Sequence, residues 1–373
     1  MPTAPLTTDL RDAFAGKRVL LTGHTGFKGG WAALWLRRLG ANVIGVALPP
    51  DDARGFYSAC GLSSLVDHRI GDIRNPAALE AILADVDADL VIHMAAQALV
   101  RKSYAEPLDT FLVNVVGTAA VLDAARRMPS LKGAVVVTSD KCYDNKEWVW
   151  GYRENDPMGG ADPYSASKGC AELLVSAYRR SFFSSAGGPL LASARAGNVF
   201  GGGDWSQDRL VPDIMKAALA GKEVVIRNPS SIRPWQHVLE PVLGYLMIGA
   251  RLLRGETDAA SGWNFGPDAD GVVDVRTLAR HVSAAWGEGG PAFAFGAPGA
   301  GPHEAGVLRL DSTKAKTHLG WSPRLTVEQA VKLTVDWHKA AAAGAGMRAF
   351  SESQIGAYEE LTNSPAHSPP RTP

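Results

Sequence analysis

Short apolar runs alternate along this chain with longer segments whose apolar residues recur every three or four positions. "RVLLTG" (residues 18–23) is the first run. In the segment behind it, "KGGWAALWLRRLG", Trp31, Leu34, Trp35 and Leu39 fall on one helical face and Gly40 marks a stop. "NVIGVAL" (42–48), "HRIGDI" (68–73), "DLVIHMAA" (89–96), "GAVVVTSD" (133–140) and "LLASARAGNVF" (190–200) are further strand candidates. Helical patterns such as "NPAALEAILADV", "TFLVNVVGTAAVLDAARRM" and "DPYSASKGCAELLVSAYRR" separate them, the last opening with Asp162 as N-cap and Pro163 as first helical residue. This alternation predicts an α/β fold: a Rossmann-like, doubly wound parallel sheet covered on both faces. Beyond about Gly201 the pattern turns irregular, with Gly, Pro and Trp accumulating among scattered helices such as "VPDIMKAALAG" and "TVEQAVKLTVDWHKAAA". The expected organisation is an N-terminal segment (1–14), the α/β core (15–200), and a smaller mixed region (201–350) that returns some strands or helices to the core. The Pro/Ser/Thr-rich end, 360–373, reads as a disordered tail.

Composition narrows the functional classes. Lys plus Arg (38) equal Asp plus Glu (38), so no overall field favours nucleic acid or an anionic membrane as partner. The cysteines, Cys60, Cys142 and Cys170, have neither metal-site nor redox spacing. That fits a reduced, cytoplasmic setting and no bound metal. The first residues lack an apolar signal-peptide core, and no apolar stretch is expected to cross a bilayer.

Three stretches carry chemistry. In "GHTGFKG", Gly23, Gly26 and Gly29 follow a strand and open a helix. The first permits a tight turn, the second lets backbone approach a pyrophosphate, and the third lets the helix sit close to the sheet. Lys28 either adds charge near a phosphate or is solvated. In "YSASK", Tyr164 and Lys168 lie four apart on one helix face. A nearby ammonium, together with a cationic nicotinamide, favours the phenolate, so Tyr164 can take a proton from a sugar hydroxyl while hydride leaves the same carbon. In "VVVTSDKCYD", an apolar run ends in Ser139, Asp140 and Lys141. Oxidation and hydride return need neither a second acid nor a second base, so Asp140 and Lys141 point to a further proton transfer such as β-elimination. Lys141 acts as a base only if its surroundings keep it neutral.

The glycine turn, followed by Ser139 and the Tyr164–Lys168 pair, resembles the extended short-chain dehydrogenase/reductase family. "GHTGFKGGW", "TSDKCYDNKEWVWGYREND", "DPYSASKGCAEL", "SARAGNVFGGGDWSQDRLVPDI" and "IRNPSSIRPWQHVLEP" resemble its nucleotide-sugar 4,6-dehydratases, and the Asp–Lys order resembles the branch that acts on CDP-glucose. The resemblance implies NAD as cofactor, held by Gly23, His24, Gly26, Phe27, Lys28, Gly29, Asp72 and Ile73 (beside the adenine), Ala95, Ala96, Gln97, Asn114, Tyr164 and Lys168. It implies Ser139 as hydrogen-bond partner of the reacting hydroxyl, Asp140 as acid and Lys141 as base. It also implies a nucleotide-sugar substrate bound through Ser103, Asn198, Arg209, Arg227, Arg233, His237 and His303. Of these, Arg233 is the foremost diphosphate clamp, since arginine forks suit phosphate oxygens. A homodimer formed by paired long helices is likewise implied. One departure stands out: the second strand ends "VALPPDD", so Asp51 and Asp52 lie beyond the place where an acid usually holds the adenosine ribose. NAD over NADP thus rests on the resemblance. Another nucleotide sugar (GDP- or heptose-linked), a 4-epimerase, and a non-catalytic dinucleotide sensor stay open as alternatives.

Overall fold

A computed structural model describes residues 5–226, 228–295 and 308–363. The apolar runs form strands β1 (Arg18–Thr22), β2 (Asn42–Ala47), β3 (Asp67–Ile70), β4 (Leu90–His93), β5 (Gly133–Val137) and β6 (Leu190–Arg195). A short strand from the second region, β7 (Gly262–Asn264), completes a seven-stranded sheet ordered β3-β2-β1-β4-β5-β6-β7. Every pairing within it is parallel, with Val19 set between Val43 and Leu90. The strand order changes direction between β1 and β4, which opens a crevice at their C-terminal ends.

Strands buried on both faces explain the runs without alternation. Val19 and Leu21 of β1 and Val135 and Val137 of β5 enter one core; Leu20, Ala134 and Val136 enter the other. Among the helices are α1 (Leu6–Phe14), α2 (Phe27–Arg38), α3 (Pro163–Phe182), α4 (Leu239–Leu253), α5 (Val327–Ala342) and α6 (Met347–Asn363). On α2, Trp31 and Trp35 are buried as their spacing predicts, and Gly40 past its end takes φ +89°. Asp162 caps α3, accepting from Ser165 N at 3.0 Å.

The structure corrects two sequence expectations. Residues 360–363 belong to α6, not to a tail: Thr362 is buried, and Asn363 Oδ1 accepts from Thr7 Oγ1 at 3.0 Å. The helical run Pro107–Ala125, 19 residues, is by itself long and apolar enough to cross a bilayer, although 44% of it is buried within this fold. Glu240 joins α4 to α6 and to the segment before α5: it accepts from Tyr358 Oη at 2.6 Å and from the backbone N of Arg324 and Leu325, each at 2.8 Å.

Candidate active site

The crevice is built first by glycine. Gly23 has φ +76°, and a Cβ there would lie 2.7 Å from Ala95 N; a Cβ on Gly29 would lie 2.1 Å from Gly23 O. Only bare backbone lets the end of β1, the start of α2 and the exit of β4 meet so closely. Gly26 is the exposed N-cap of α2, whose first-turn N–H groups face the crevice. This cradle fits a pyrophosphate. His24 is fully buried beneath it, with Nε2 2.6 Å from His68 Nδ1; burial, then His68, pushes it down to about 4. Phe27 reaches Gly201, its ring 3.3 Å from where a Cβ would stand.

Lys28 is part-buried, its Nζ 5.9 Å from the centre of the Tyr245 ring, and its ammonium is pushed down to about 7 by burial, then by Arg209 and Lys168, while Asp140 and Asp204 oppose the shift. Ala95, Ala96 and Gln97 lead out of β4. Asn114 fixes them: its Nδ2 donates to Gln97 O at 3.0 Å and to Ser167 Oγ at 2.9 Å, and its Oδ1 accepts from Gln97 N at 2.9 Å. This joins the β4 loop to the Tyr–Lys helix. Asp72 is held by Arg74, and Ile73 packs into the core against Gly117. Asp52 is likewise occupied, Arg54 Nη2 lying 2.7 Å away.

Tyr164 and Lys168 sit on the first two turns of α3, with Lys168 Nζ 6.0 Å from the Tyr164 ring centre. Burial lowers Lys168 to about 8, opposed by Glu172 and Cys142. Burial raises Tyr164 in the chain by itself, where Lys168 together with a cationic nicotinamide is expected from the sequence to lower it. The groups that oppose this rise are Ser139, through a hydrogen bond, and the cations Lys141 and Arg209. The β5 run ends at Ser139, which caps a single 3₁₀ turn, Asp140–Cys142. Ser139 Oγ donates to Asp140 Oδ1 at 2.9 Å and accepts from Lys141 N at 3.3 Å. Asp140 is fully buried, whereas Lys141 is partly exposed with Nζ 3.6 Å from Asp140 Oδ1. Tyrosine, serine, acid and lysine therefore form one cluster.

The substrate-side residues divide. Arg209, 3.4 Å from Asp204 Oδ2, lies near enough for its charge to act on both Tyr164 and Lys28. Asn198 follows Gly197 with φ +50°, its buried Nδ2 lacking a hydrogen-bond partner among the described residues. Arg233 lies on Ile232–Pro234, paired antiparallel to Val272–Asp274, and donates to Ile232 O at 2.9 Å. Ser103 is buried and donates to Val100 O at 2.7 Å. His237 is part of the core, edge-on to Trp31 and Phe200; burial lowers it to about 3. Arg227 and His303 lie outside the described residues.

Three contributors escaped the sequence reading. Gly197 lets the Asp140 carboxylate nest against it: a Cβ there would lie 1.9 Å from Oδ2. Tyr245 of α4 brings a buried hydroxyl close enough to feel Tyr164 and Asp140. Glu172, four residues after Lys168, accepts from Arg195 Nη2 at 2.7 Å, Thr138 Oγ1 at 2.5 Å and Ser193 Oγ at 2.8 Å. Only Glu172 had a visible signal, the continued four-residue spacing after Tyr164 and Lys168.

A parallel sheet in this strand order with a glycine turn at its crevice defines a dinucleotide-binding fold of the Rossmann type. The sequence model of the NAD dependent epimerase/dehydratase family matches residues 19–259, and the chain belongs to that family. It is 46% identical over 356 residues to CDP-glucose 4,6-dehydratase of Salmonella typhimurium, covering 94% of this chain and 99% of that one. It is 29% identical over 335 residues to dTDP-glucose 4,6-dehydratase of Xanthomonas campestris pv. campestris, covering 86% and 92%. Among solved structures, an epimerase from Methanothermobacter thermautotrophicus shares the fold with TM-score 0.77 at 21% identity, covering 92% of this chain and 98% of that one. UDP-glucose 4-epimerase from Thermotoga maritima, solved with UDP-glucose, has TM-score 0.72 at 23% identity, covering 87% and 99%.

Proposed function

We propose that this chain is an NAD-dependent nucleotide-sugar 4,6-dehydratase that converts CDP-glucose to CDP-4-keto-6-deoxyglucose. The observation that carries it is the acid and amine beside the redox cluster: Lys141 Nζ stands 3.6 Å from Asp140 Oδ1, next to Ser139 and Tyr164. Removing water from a sugar needs both groups; moving hydride does not. The 46% identity to a CDP-glucose 4,6-dehydratase supports the choice of substrate.

NAD, when bound, supplies the hydride acceptor for C4 and the donor for C6. The chain holds it on the Gly23–Gly29 turn and the Ala95–Gln97 loop. Tyr164 takes the C4 hydroxyl proton while Ser139 hydrogen-bonds the same oxygen. The new C4 carbonyl acidifies C5, and Lys141 removes that proton. Asp140 protonates the C6 hydroxyl, which leaves as water, and Lys141 returns its proton to C5. Arg209, Arg233 and Asn198 take the substrate diphosphate. The chain works as a homodimer: Leu108, Leu112 and Val116 put an exposed apolar stripe along the run Pro107–Ala125, with Leu173 exposed on α3. The free cysteines suit a reducing compartment such as the cytoplasm.

The test is to incubate purified protein and NAD with CDP-, GDP-, dTDP- and UDP-hexoses and measure loss of water by mass. CDP-glucose is expected to react, and Lys141→Ala to lose dehydration. Conversion of none of them overturns the reading; a Lys141→Ala protein that interconverts C4 epimers indicates a 4-epimerase.

A further inference from the structure

Dehydration asks two pairs of groups to work on neighbouring carbons in turn. Tyr164 and Lys168, on α3, serve the oxidation at C4. Asp140 and Lys141, on the 3₁₀ turn after β5, serve the loss of water across C5 and C6. The pairs sit on separate elements, so helix and turn must be held in one register. A 4-epimerase needs only the first pair, so this inference rests on the dehydratase reading.

Glu172 meets both elements. It lies four residues after Lys168 on the same face of α3, about 6 Å further along the axis. Its Oε1 accepts from Thr138 Oγ1 at 2.5 Å, and Thr138 directly precedes Ser139. Its Oε2 accepts from Ser193 Oγ at 2.8 Å and from Arg195 Nη2 at 2.7 Å, both on β6. Arg195 then reaches the far end of the turn. Its Nη1 donates at 2.6 Å to Oη of Tyr143, the residue that closes the turn, and this hydroxyl donates to Asn264 Oδ1 at 2.7 Å. One ion pair thus grips the turn on both sides, through Thr138 before it and Tyr143 after it. Glu172 and Arg195 are each 4% exposed. On β7, bare backbone at Gly262 leaves room for the guanidinium: a Cβ there would lie 2.5 Å from Arg195 Nη2.

Stability alone does not account for such a pair. Desolvating two charges offsets most of their attraction, and an apolar pair of similar volume fills a core as well. Arg195 Nε, moreover, is buried without a hydrogen-bond partner among the described residues. What directional, charge-assisted hydrogen bonds add is fixed geometry. We propose that Glu172 and Arg195 are positioning residues that lock α3 to the Ser139–Cys142 turn and so couple C4 oxidation to water loss. Neither touches the reacting atoms. With the lock loosened, the first half-reaction still runs: C4 gives its hydride to the cofactor, and the C4 hydroxyl gives its proton to Tyr164. The C5 proton and the C6 hydroxyl then stay on the sugar, because Lys141 and Asp140 are out of place.

The test loosens the turn and spares the ion pair. Thr138→Val and Tyr143→Phe, combined in the full chain, each remove one hydroxyl, while Ser193 and Arg195 still hold Glu172 on α3. In single turnovers with NAD and CDP-glucose, water loss is expected to slow at least about tenfold more than C4 oxidation, with KM within about threefold. Reduced-nicotinamide absorbance then accumulates, and quenched samples contain a 4-keto sugar that has kept its C6 oxygen. Thr138→Ser, which keeps the hydroxyl, behaves as the wild type. Without NAD or substrate, the backbone amides of residues 139–143 in the double variant exchange with deuterium about tenfold faster or more, while those of β1 keep wild-type rates. Equal slowing of both half-reactions without that absorbance, unchanged exchange in the turn, or exchange that rises equally in β1 each overturns the proposal. Failure of the dehydratase reading looks different: the wild type itself then releases no water from CDP-glucose, whatever the exchange rates of the turn.

Discussion

Replacement of Gly197, which lies 57 residues from Asp140 in sequence, is expected to disable the acid. A Cβ in Gly197→Ala would lie 1.9 Å from Asp140 Oδ2, 2.0 Å from its Cγ and 2.3 Å from Oδ1. Restoring ordinary contact, 3.4 Å or more, forces the carboxylate to move by about 1.5 Å. Its other oxygen then leaves Ser139 Oγ, now 2.9 Å away. Displacement of about 1 Å at a reacting group costs roughly 10²-fold, equivalent to about 2.7 kcal/mol. Overpacking at a buried site adds about 1–3 kcal/mol of lost stability. Steady-state formation of the 4-keto-6-deoxy product, with KM separated from kcat, measures the first effect, and urea unfolding measures the second. The expected result is kcat lower by about 10² or more with KM within about threefold, because the nucleotide side of the site is untouched. A Gly197→Ala enzyme with wild-type kcat would refute the placement of Asp140 as the acid.

Electrostatics sets further outcomes. Lys168 is lowered to about 8, so kcat/KM is expected to fall as pH rises through about 8, when the neutral amine ceases to support the Tyr164 phenolate. Lys168→Arg, charged throughout, should lose that alkaline limb in a pH–rate profile even as its absolute rate drops. Burial raises Glu240 to about 7 from an ordinary value of 4.5. Its protonated form therefore contributes stability that is full below about 4.5 and lost as pH rises through about 7, on the order of 3 kcal/mol. Urea unfolding at pH 5 and pH 8 should show this loss in the wild type and a flatter response in Glu240→Gln. Replacing both Leu108 and Val116, which are 72% and 43% exposed, by Glu is expected to yield a monomer in sedimentation; an unchanged dimer would place the interface elsewhere.

Much of this protein was fixed locally, and that part was legible in its sequence. The strand–helix alternation, the caps at Asp162 and Gly40 and the glycine spacing each depend on neighbours within a few residues. So does the closeness of Ser139, Asp140 and Lys141, which share one turn, and of Tyr164 and Lys168, which share one helix face. Contacts across long separations were not legible, because no local pattern encodes them. Gly197 meets Asp140, Tyr245 approaches Tyr164, Lys28 comes within 5.9 Å of the Tyr245 ring and His237 turns into the core only once β5, β6, α2 and α4 are packed together. Charge balance is collective for the same reason. The sequence makes Lys168 the natural partner of Tyr164, but burial outweighs it, and the opposing cations, Lys141 and Arg209, arrive from other segments of the chain. Residue type and spacing determined which chemistry was present; tertiary packing decided which atoms could exchange a proton, since that depends on ångström distances and on the exclusion of water.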